Sequence, residues 1–324
     1  MNTFHIAKMQ VPDFWPANEE GIKQHIAAVP PDRLVRYGTS AGGRDLHLIR
    51  YPNPGKPRLW VIGGTHGHEP GGPATCFNLL HILRHGEDLR RKQWPDIVGL
   101  VGDLDITVVP LLNPDGRARC PDSLVGWSTG GLDGMAQSWR KEDRSVPTIE
   151  EAVPNGLDPD EMIFLGGRFN DDGFLANRPV SVEKTLFVEF QQLLDYMAQN
   201  DPPECYLDLH ACGSNFFCMN GGFTEPYREK LRTINRATAE AVKSLGHQYN
   251  DNIYGDPKPP GPGIVGNVRM LYVRWGTLAF PYEGRQGFLD ILPWCDESDI
   301  LDDYLLAIRE TMRLGVAEGY ISAE

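Results

Sequence analysis

The feature that most constrains this chain is a rhythm of short, apolar, β-branched runs separated by longer amphipathic ones. Leu59–Gly63 (LWVIG), Ile106–Leu112 (ITVVPLL), Cys205–Leu209 and Thr277–Tyr282 read as buried strands, and Arg44–Tyr51 alternates as a half-buried one. Helical stretches lie between them. Pro73–His85 begins with proline and is followed by Gly86, the residues expected at a helix start and stop. Ser181–Gln199, with Ser181 as N-cap and Leu186, Phe190, Leu193 and Met197 on one face, is a second; Pro226–Leu245 and Ile300–Leu314 are two more. Buried strands alternating with helices predict an α/β fold, a single domain whose mixed, mainly parallel central sheet carries helices on both faces. With 324 residues, 41% of them hydrophobic, no disulfide or metal is needed merely to hold such a core together. One domain over residues 1–324 is expected. It is interrupted by an irregular stretch at about 116–179, rich in glycine, proline and acid, which reads as a functional loop region or an inserted subdomain.

Charge narrows the function. Lysine plus arginine total 31 against 44 acids, a net charge of −13, which excludes generic binding to nucleic acid or an anionic membrane. No apolar run approaches the roughly 20 residues of a membrane span. Met1–Trp15 lacks the charged start and apolar centre of a signal peptide, so a cytoplasmic protein is expected. The six cysteines are scattered with no CxxC pair, which points to free thiols rather than to a zinc site of sulfur ligands.

Four of the strands run into chemically capable residues. His66, His68 and Glu69 follow the first, Asn113-Pro114-Asp115-Gly116 the second, His210 the third and Glu283 the fourth. In a parallel sheet, ligands bind beyond the carboxyl ends of the strands, so these residues converge. Glycines 63, 64 and 67 permit a sharp turn, and a spacing of three lets His66 and Glu69 point the same way. Zinc accepts both residue types. The plainer alternative is a capping cluster without metal. A catalytic zinc keeps three protein ligands and an open position, and His210 is the best third candidate, although a lone histidine there would read as a core residue. His68 competes with it, and Asp208 is expected to face away in a structural role. Glu283 is either a surface partner of Arg285 or a general base beside the metal.

At this point the residues carry a resemblance. The chain resembles the zinc carboxypeptidases (metallocarboxypeptidases, or funnelins) from Gly38–Arg44 (GTSAGGR) to the C-terminal helix. The motifs occur in the family's order: His66-Gly67-His68-Glu69, Asn113-Pro114-Asp115-Gly116, Ser138-Trp139-Arg140-Lys141, Asn177-Arg178, Leu209-His210, Ile253-Tyr254-Gly255 and Phe280-Pro281-Tyr282-Glu283. The resemblance implies one Zn2+ per chain on His66, Glu69 and His210, with Glu283 as general base. It implies that Arg140 polarises the scissile carbonyl. Asn113 belongs with the substrate-binding residues, Asn177 and Arg178 would hold a free C-terminal carboxylate, and Tyr254 would close over the substrate. The implied partner is a peptide or small amide bearing that carboxylate.

The departures leave alternatives open. Gly167-Arg168-Phe169-Asn170 makes Arg168 a rival to Arg178, and Arg117 and Arg119 are rivals to Arg140. Where the family has an aspartate supporting the first zinc histidine this chain has Leu175, leaving Asp171 or Asp172 to take over. Lys258 would suit an acidic substrate side chain and Asp256 a basic one. Two other functions fit less well: an amidohydrolase of the same fold acting on small N-acyl amino acids, like the desuccinylases and aspartoacylases, and a non-catalytic module that binds C-terminal carboxylates. The sequence is silent on oligomeric state.

Overall fold

The computed structural model describes residues 10–256 and 266–321. Among the described residues the strands are β1 (Leu34–Thr39), β2 (Asp45–Tyr51), β3 (Arg58–Gly63), β4 (Asp105–Val109), β5 (Trp139–Arg140), β6 (Met162–Phe164), β7 (Cys205–Ala211), β8 (Phe216–Phe217) and β9 (Leu278–Gly284). Seven of them form one sheet in the order β1-β2-β4-β3-β7-β9-β8. Its centre, β4-β3-β7-β9, is parallel, and β1, β2 and β8 join antiparallel at the flanks. The sheet is therefore mixed with a parallel centre, as the strand–helix rhythm requires.

Both faces of the centre are buried, which is why its strands read as continuous apolar runs. Along β3, Leu59 and Val61 enter one core and Trp60 and Ile62 the other. The first core is closed by helices Gly71–His85, Glu225–Ser244 and Glu297–Glu318, the second by Val188–Gln199 and Asn267–Trp275. Among the described residues no helix is long and apolar enough to cross a membrane.

Three elements differ from expectation. The strand β1 is an addition to the expected set; its half-buried, charge-bearing sequence lacks an apolar signature. The helix expected from Ser181 starts at Val188. The Ser181 hydroxyl instead accepts from the backbone N–H groups of Glu183 and Lys184, closing a turn that competes with the helix. The stretch 116–179 contains short elements of its own. Strands β5 and β6 pair antiparallel, and Ala152, Leu157, Met162, Leu165, Phe169 and Leu175 form a small third core beneath the loops.

Candidate metal centre and substrate cleft

The chemistry gathers where β3, β7 and β9 end. Strand β3 stops at Gly63, and Gly64 takes the left-handed conformation (φ +63°), turning the chain sharply into His66–Glu69. Beyond it, Gly67 packs against Gly116 and Arg117 so closely that a Cβ would overlap their backbone. The His66 loop is thereby clamped against the Asn113-Pro114-Asp115-Gly116 turn. On β7 and β9, His210 stands in register opposite Glu283.

His66, Glu69 and His210 are buried and their donor atoms meet. His66 Nδ1 lies 2.8 Å from Glu69 Oε1, His210 Nδ1 lies 3.1 Å from Glu69 Oε2, and the two Nδ1 atoms are 3.2 Å apart. Zinc with ligands at 2.0–2.1 Å needs donor separations of about 3.3 Å, so the set fits a tetrahedral site with one position left open. Two imidazole nitrogens facing each other beside a carboxylate make poor hydrogen-bonding sense and good ligand sense. His68 stacks on His66, 5.4 Å between ring centres, and its Nε2 is 3.5 Å from Glu69. It lies next to the set and outside it.

Electrostatics agree with the donor role. Burial lowers the proton affinity of His66, leaving a neutral ligand. Burial opposes ionisation of Glu69, but His66 and His210 outweigh it and hold the carboxyl well below its usual range. His210 is pushed well above an ordinary histidine: burial works against the charge, and Asp208 and Glu69 overcome it.

Asp208 corrects the expectation that it faces away. Residues two apart on a strand share a face, so Asp208 and His210 project together, and Asp208 Oδ2 lies 3.0 Å from His210 Nε2. The other carboxylate oxygen accepts from Thr65 Oγ1 at 2.7 Å, and Tyr304 donates to the His210 carbonyl at 2.6 Å. His210 is oriented by this carboxylate. His66 has no such partner: its Nε2 is unpartnered among the described residues. Asp171 does not take that role, because its carboxylate is engaged by Arg44 and Arg119, and Asp172 is exposed.

The carboxyl of Glu283 is pushed up to about 7, chiefly by burial, with the negative charges of Glu69 and Asp208 adding and His210 and Arg168 opposing. Arg168 is also among the positive charges felt by His66 and His68, and Arg178 is coupled to both Glu283 and Arg168. Arg168 directly follows Gly167, whose carbonyl accepts from Gly67 N at 2.7 Å between His66 and Glu69, which sets it beside the ligand loop. A hairpin brings the two arginines together: Phe169 bridges Leu175, and Ala176 N donates to Arg168 O at 3.0 Å. Asn177 lies beside them, its carbonyl accepting from Arg178 Nη1 at 3.1 Å.

Asn113 is fully buried, and its amide donates to the carbonyls of Gly167 and Phe169, both at 3.3 Å. It brackets Arg168 and does not present its side chain to the cleft. Arg119 grips the same loop at the Leu165 and Phe169 carbonyls, and buried Arg117 is spent on the Cys120 and Pro121 carbonyls. Arg140, on β5, pairs its guanidinium with Ser145 (3.1 Å) and Glu151 (3.3 Å). Tyr254 is 67% exposed at the rim, its backbone tied to Phe217 and Met219. Asp256 is held by Arg228 and Arg232, and Lys258 lies outside the described residues.

Comparison with known proteins follows the same line. A family model described as zinc carboxypeptidase matches residues 22–286. Carboxypeptidase A4 of Mus musculus is 24% identical over 286 residues, 82% of this chain and 62% of that protein. Carboxypeptidase A2 of Mus musculus is 23% identical over 287 residues with the same coverage. The chain thus spans about three fifths of the length of these curated relatives. Among solved structures, a metallo-carboxypeptidase from Burkholderia cenocepacia superposes with a TM-score of 0.62 at 16% identity, covering 92% of this chain and 69% of that one. The metallo-carboxypeptidase from Pseudomonas aeruginosa, in complex with (2-guanidinoethylmercapto)succinic acid, gives 0.60 at 18%, covering 95% and 71%. At these identities the structural likeness is one of fold. The match across 22–286, met by a His-Glu-His donor set at the sheet edge, establishes that the chain belongs to the zinc carboxypeptidase family.

Proposed function

We propose that this chain is a zinc-dependent carboxypeptidase that hydrolyses the C-terminal peptide bond of substrates with a free α-carboxylate. One zinc ion would be held by His66, Glu69 and His210. The observation that carries the reading is the meeting of these three buried donors within 4.8 Å of one another, with Glu283 in register beside His210. Zinc, when bound, is a Lewis acid that brings the pKa of a water ligand towards 7 and polarises a carbonyl.

The remaining work falls to the chain. Glu283, with its carboxyl poised at about 7, accepts a proton from the attacking water and returns it to the leaving amine, which needs a group that exchanges protons readily near neutral pH. Arg168, with Arg178 and Asn177 beside it, takes the α-carboxylate, for which a guanidinium fork is the geometric match. Arg140 polarises the scissile carbonyl by exchanging its solvent-screened pair with Glu151 for the substrate, an exchange that sacrifices little because water weakens such a pair. Tyr254 closes from the rim. Asn113 contributes by fixing the Arg168 loop.

The test is a panel of C-terminal peptides and N-acyl amino acids with and without a chelator, run on the parent chain and on Glu283→Gln. Chelator-sensitive cleavage of the peptides is expected, and Glu283→Gln should keep stoichiometric zinc while losing about 10²–10⁴-fold in kcat. Near-normal turnover in that variant would remove Glu283 from the role. Turnover of acyl-amino acids alone would favour the amidohydrolase.

A further inference from the structure

Arg168 and Arg178 share with Arg117 and Arg269 a buried Nε that lacks a hydrogen-bond partner, and one hairpin carries both. Arg44, Arg90, Arg228, Arg232 and Arg285 each meet a carboxylate. Among the described residues no ion pair engages Arg168 or Arg178, and the Nε of each is buried without a hydrogen-bond partner. The Phe169–Leu175 hairpin pairs Arg168 with Ala176, and Arg178, two residues further on, is its diagonal neighbour on the same face. Burial, and then the Arg168 charge, weaken Arg178's hold on its proton, with Glu283 pulling the other way. Two adjoining guanidinium groups that lack counter-ions are costly unless a ligand supplies them. One α-carboxylate is matched by one guanidinium fork, which leaves the second cation unanswered.

Position distinguishes the two. Arg168 follows Gly167, whose carbonyl accepts from Gly67 N at 2.7 Å beside His66, so of the two it lies nearer the ligand set. An α-carboxylate is one carbon from the scissile nitrogen, and a side-chain carboxylate reaches further along. The rival signal for a basic side chain is gone, because Asp256 is neutralised by Arg228 at 3.1 Å and Arg232 at 2.8 Å. We infer that Arg178 is a specificity-determining residue, forming with Arg168 a double-cation subsite that selects substrates whose C-terminal residue is itself acidic, glutamate before all others. The inference rests on the carboxypeptidase reading of the cleft.

The experiment compares N-acylated dipeptides ending in Glu, Gln, Leu and Lys with the zinc-loaded full chain. Glu and Gln share a shape, so their ratio isolates the charge. A Glu:Gln ratio in kcat/KM of about 10- to 100-fold is expected, the range of a charge-assisted pair in a desolvated site. In Arg178→Met the ratio should fall to about one, whatever the absolute rate. Calorimetric binding of L-glutamate against L-glutamine to the unaltered chain should show the same preference, and it needs neither turnover nor a folded variant. A ratio near one in the unaltered chain overturns the inference, as does a preference that survives Arg178→Met in a folded protein. If the Leu peptide is cleaved without any preference for Glu, this inference fails alone. If no peptide is cleaved, the carboxypeptidase reading fails, and the calorimetric ratio still decides whether the double-cation subsite exists.

Discussion

Replacing Asp208 tests whether His210 is a ligand whose ring is held by a carboxylate. Asp208 is buried, with one oxygen 3.0 Å from His210 Nε2 and the other accepting from Thr65 Oγ1. Such a partner fixes which nitrogen faces the metal and raises the basicity of the ring, and losing it costs about 10- to 100-fold in metal affinity. The two available substitutions sample different ends of that range. Asp208→Asn keeps the volume and one carbonyl for His210, while the Thr65 hydroxyl can turn to accept from the new amide. Only the charge assistance is lost, so about tenfold weaker zinc binding, or roughly 1.4 kcal/mol, is expected. Asp208→Ala also frees the ring to rotate and leaves Thr65 without its acceptor, so the loss should approach 100-fold, about 2.7 kcal/mol. Zinc affinity is measured by competition with a chromophoric chelator, with folding followed separately by circular dichroism. Equal affinities in the parent and both variants would refute the argument. So would a larger loss in Asp208→Asn than in Asp208→Ala, because the orienting contact then cannot be the cause.

Three further outcomes follow from other parts of the structure. Asp303 is fully buried and pairs with Arg285 at 2.7 Å, His247 at 2.7 Å and Asn215 at 2.8 Å; Asp303→Ala strands the Arg285 charge and should cost about 3–5 kcal/mol in urea unfolding, with a loss under about 1 kcal/mol counting against it. Gly67→Ala forces a Cβ into the Gly116–Arg117 backbone, so zinc stoichiometry should collapse even in protein that stays soluble, and full zinc loading would show that the clamp is not needed. His210 holds its proton well above the histidine range through Asp208 and Glu69. Zinc must displace that proton, so zinc affinity should rise with pH and binding should release protons to the buffer; a flat affinity between about pH 6 and 8 would contradict this.

Much of the site was legible because it sits at strand ends, where periodicity is strong and sheet topology does the gathering. Once Leu59–Gly63, Cys205–Leu209 and Thr277–Tyr282 are read as parallel strands, His66, Glu69, His210 and Glu283 must share an edge. Asp208 was within reach of the same rule, since a period of two puts it on the face of His210. The arginines were harder for a physical reason. Arg168 and Arg178 lie ten positions apart in a segment without periodicity, and only the pairing of Phe169 with Leu175 brings them onto one hairpin. Nor does sequence reveal that Asp256 is already neutralised from the helix Glu225–Ser244. Ser181 misled because a hydroxyl that caps a helix closes a turn equally well.

The Asn113-Pro114-Asp115-Gly116 turn gains a different meaning from its position. Asp115 accepts from Ser40 Oγ at 2.6 Å, Gly42 N at 2.8 Å and Arg44 Nη1 at 2.9 Å, all from the Gly38–Arg44 motif. It also accepts from Asp171 N, and the Asp171 side chain is gripped by Arg119. Asn113 ties the same loop through Gly167 and Phe169, while Gly67 N donates to Gly167 O at 2.7 Å. Motif residues distant in sequence therefore converge on one segment, 165–171, which carries Arg168. Buried, saturated polar networks of this kind are rigid, because any displacement leaves an unpaired group at a cost of about 1–3 kcal/mol. Rigidity is what a substrate anchor requires, since a carboxylate gripped at a fixed distance from Glu283 fixes which bond is cut. Under the proposed carboxypeptidase function, the polar residues of this turn would set where hydrolysis happens, and the ligands after β3 and on β7 would set that it happens at all.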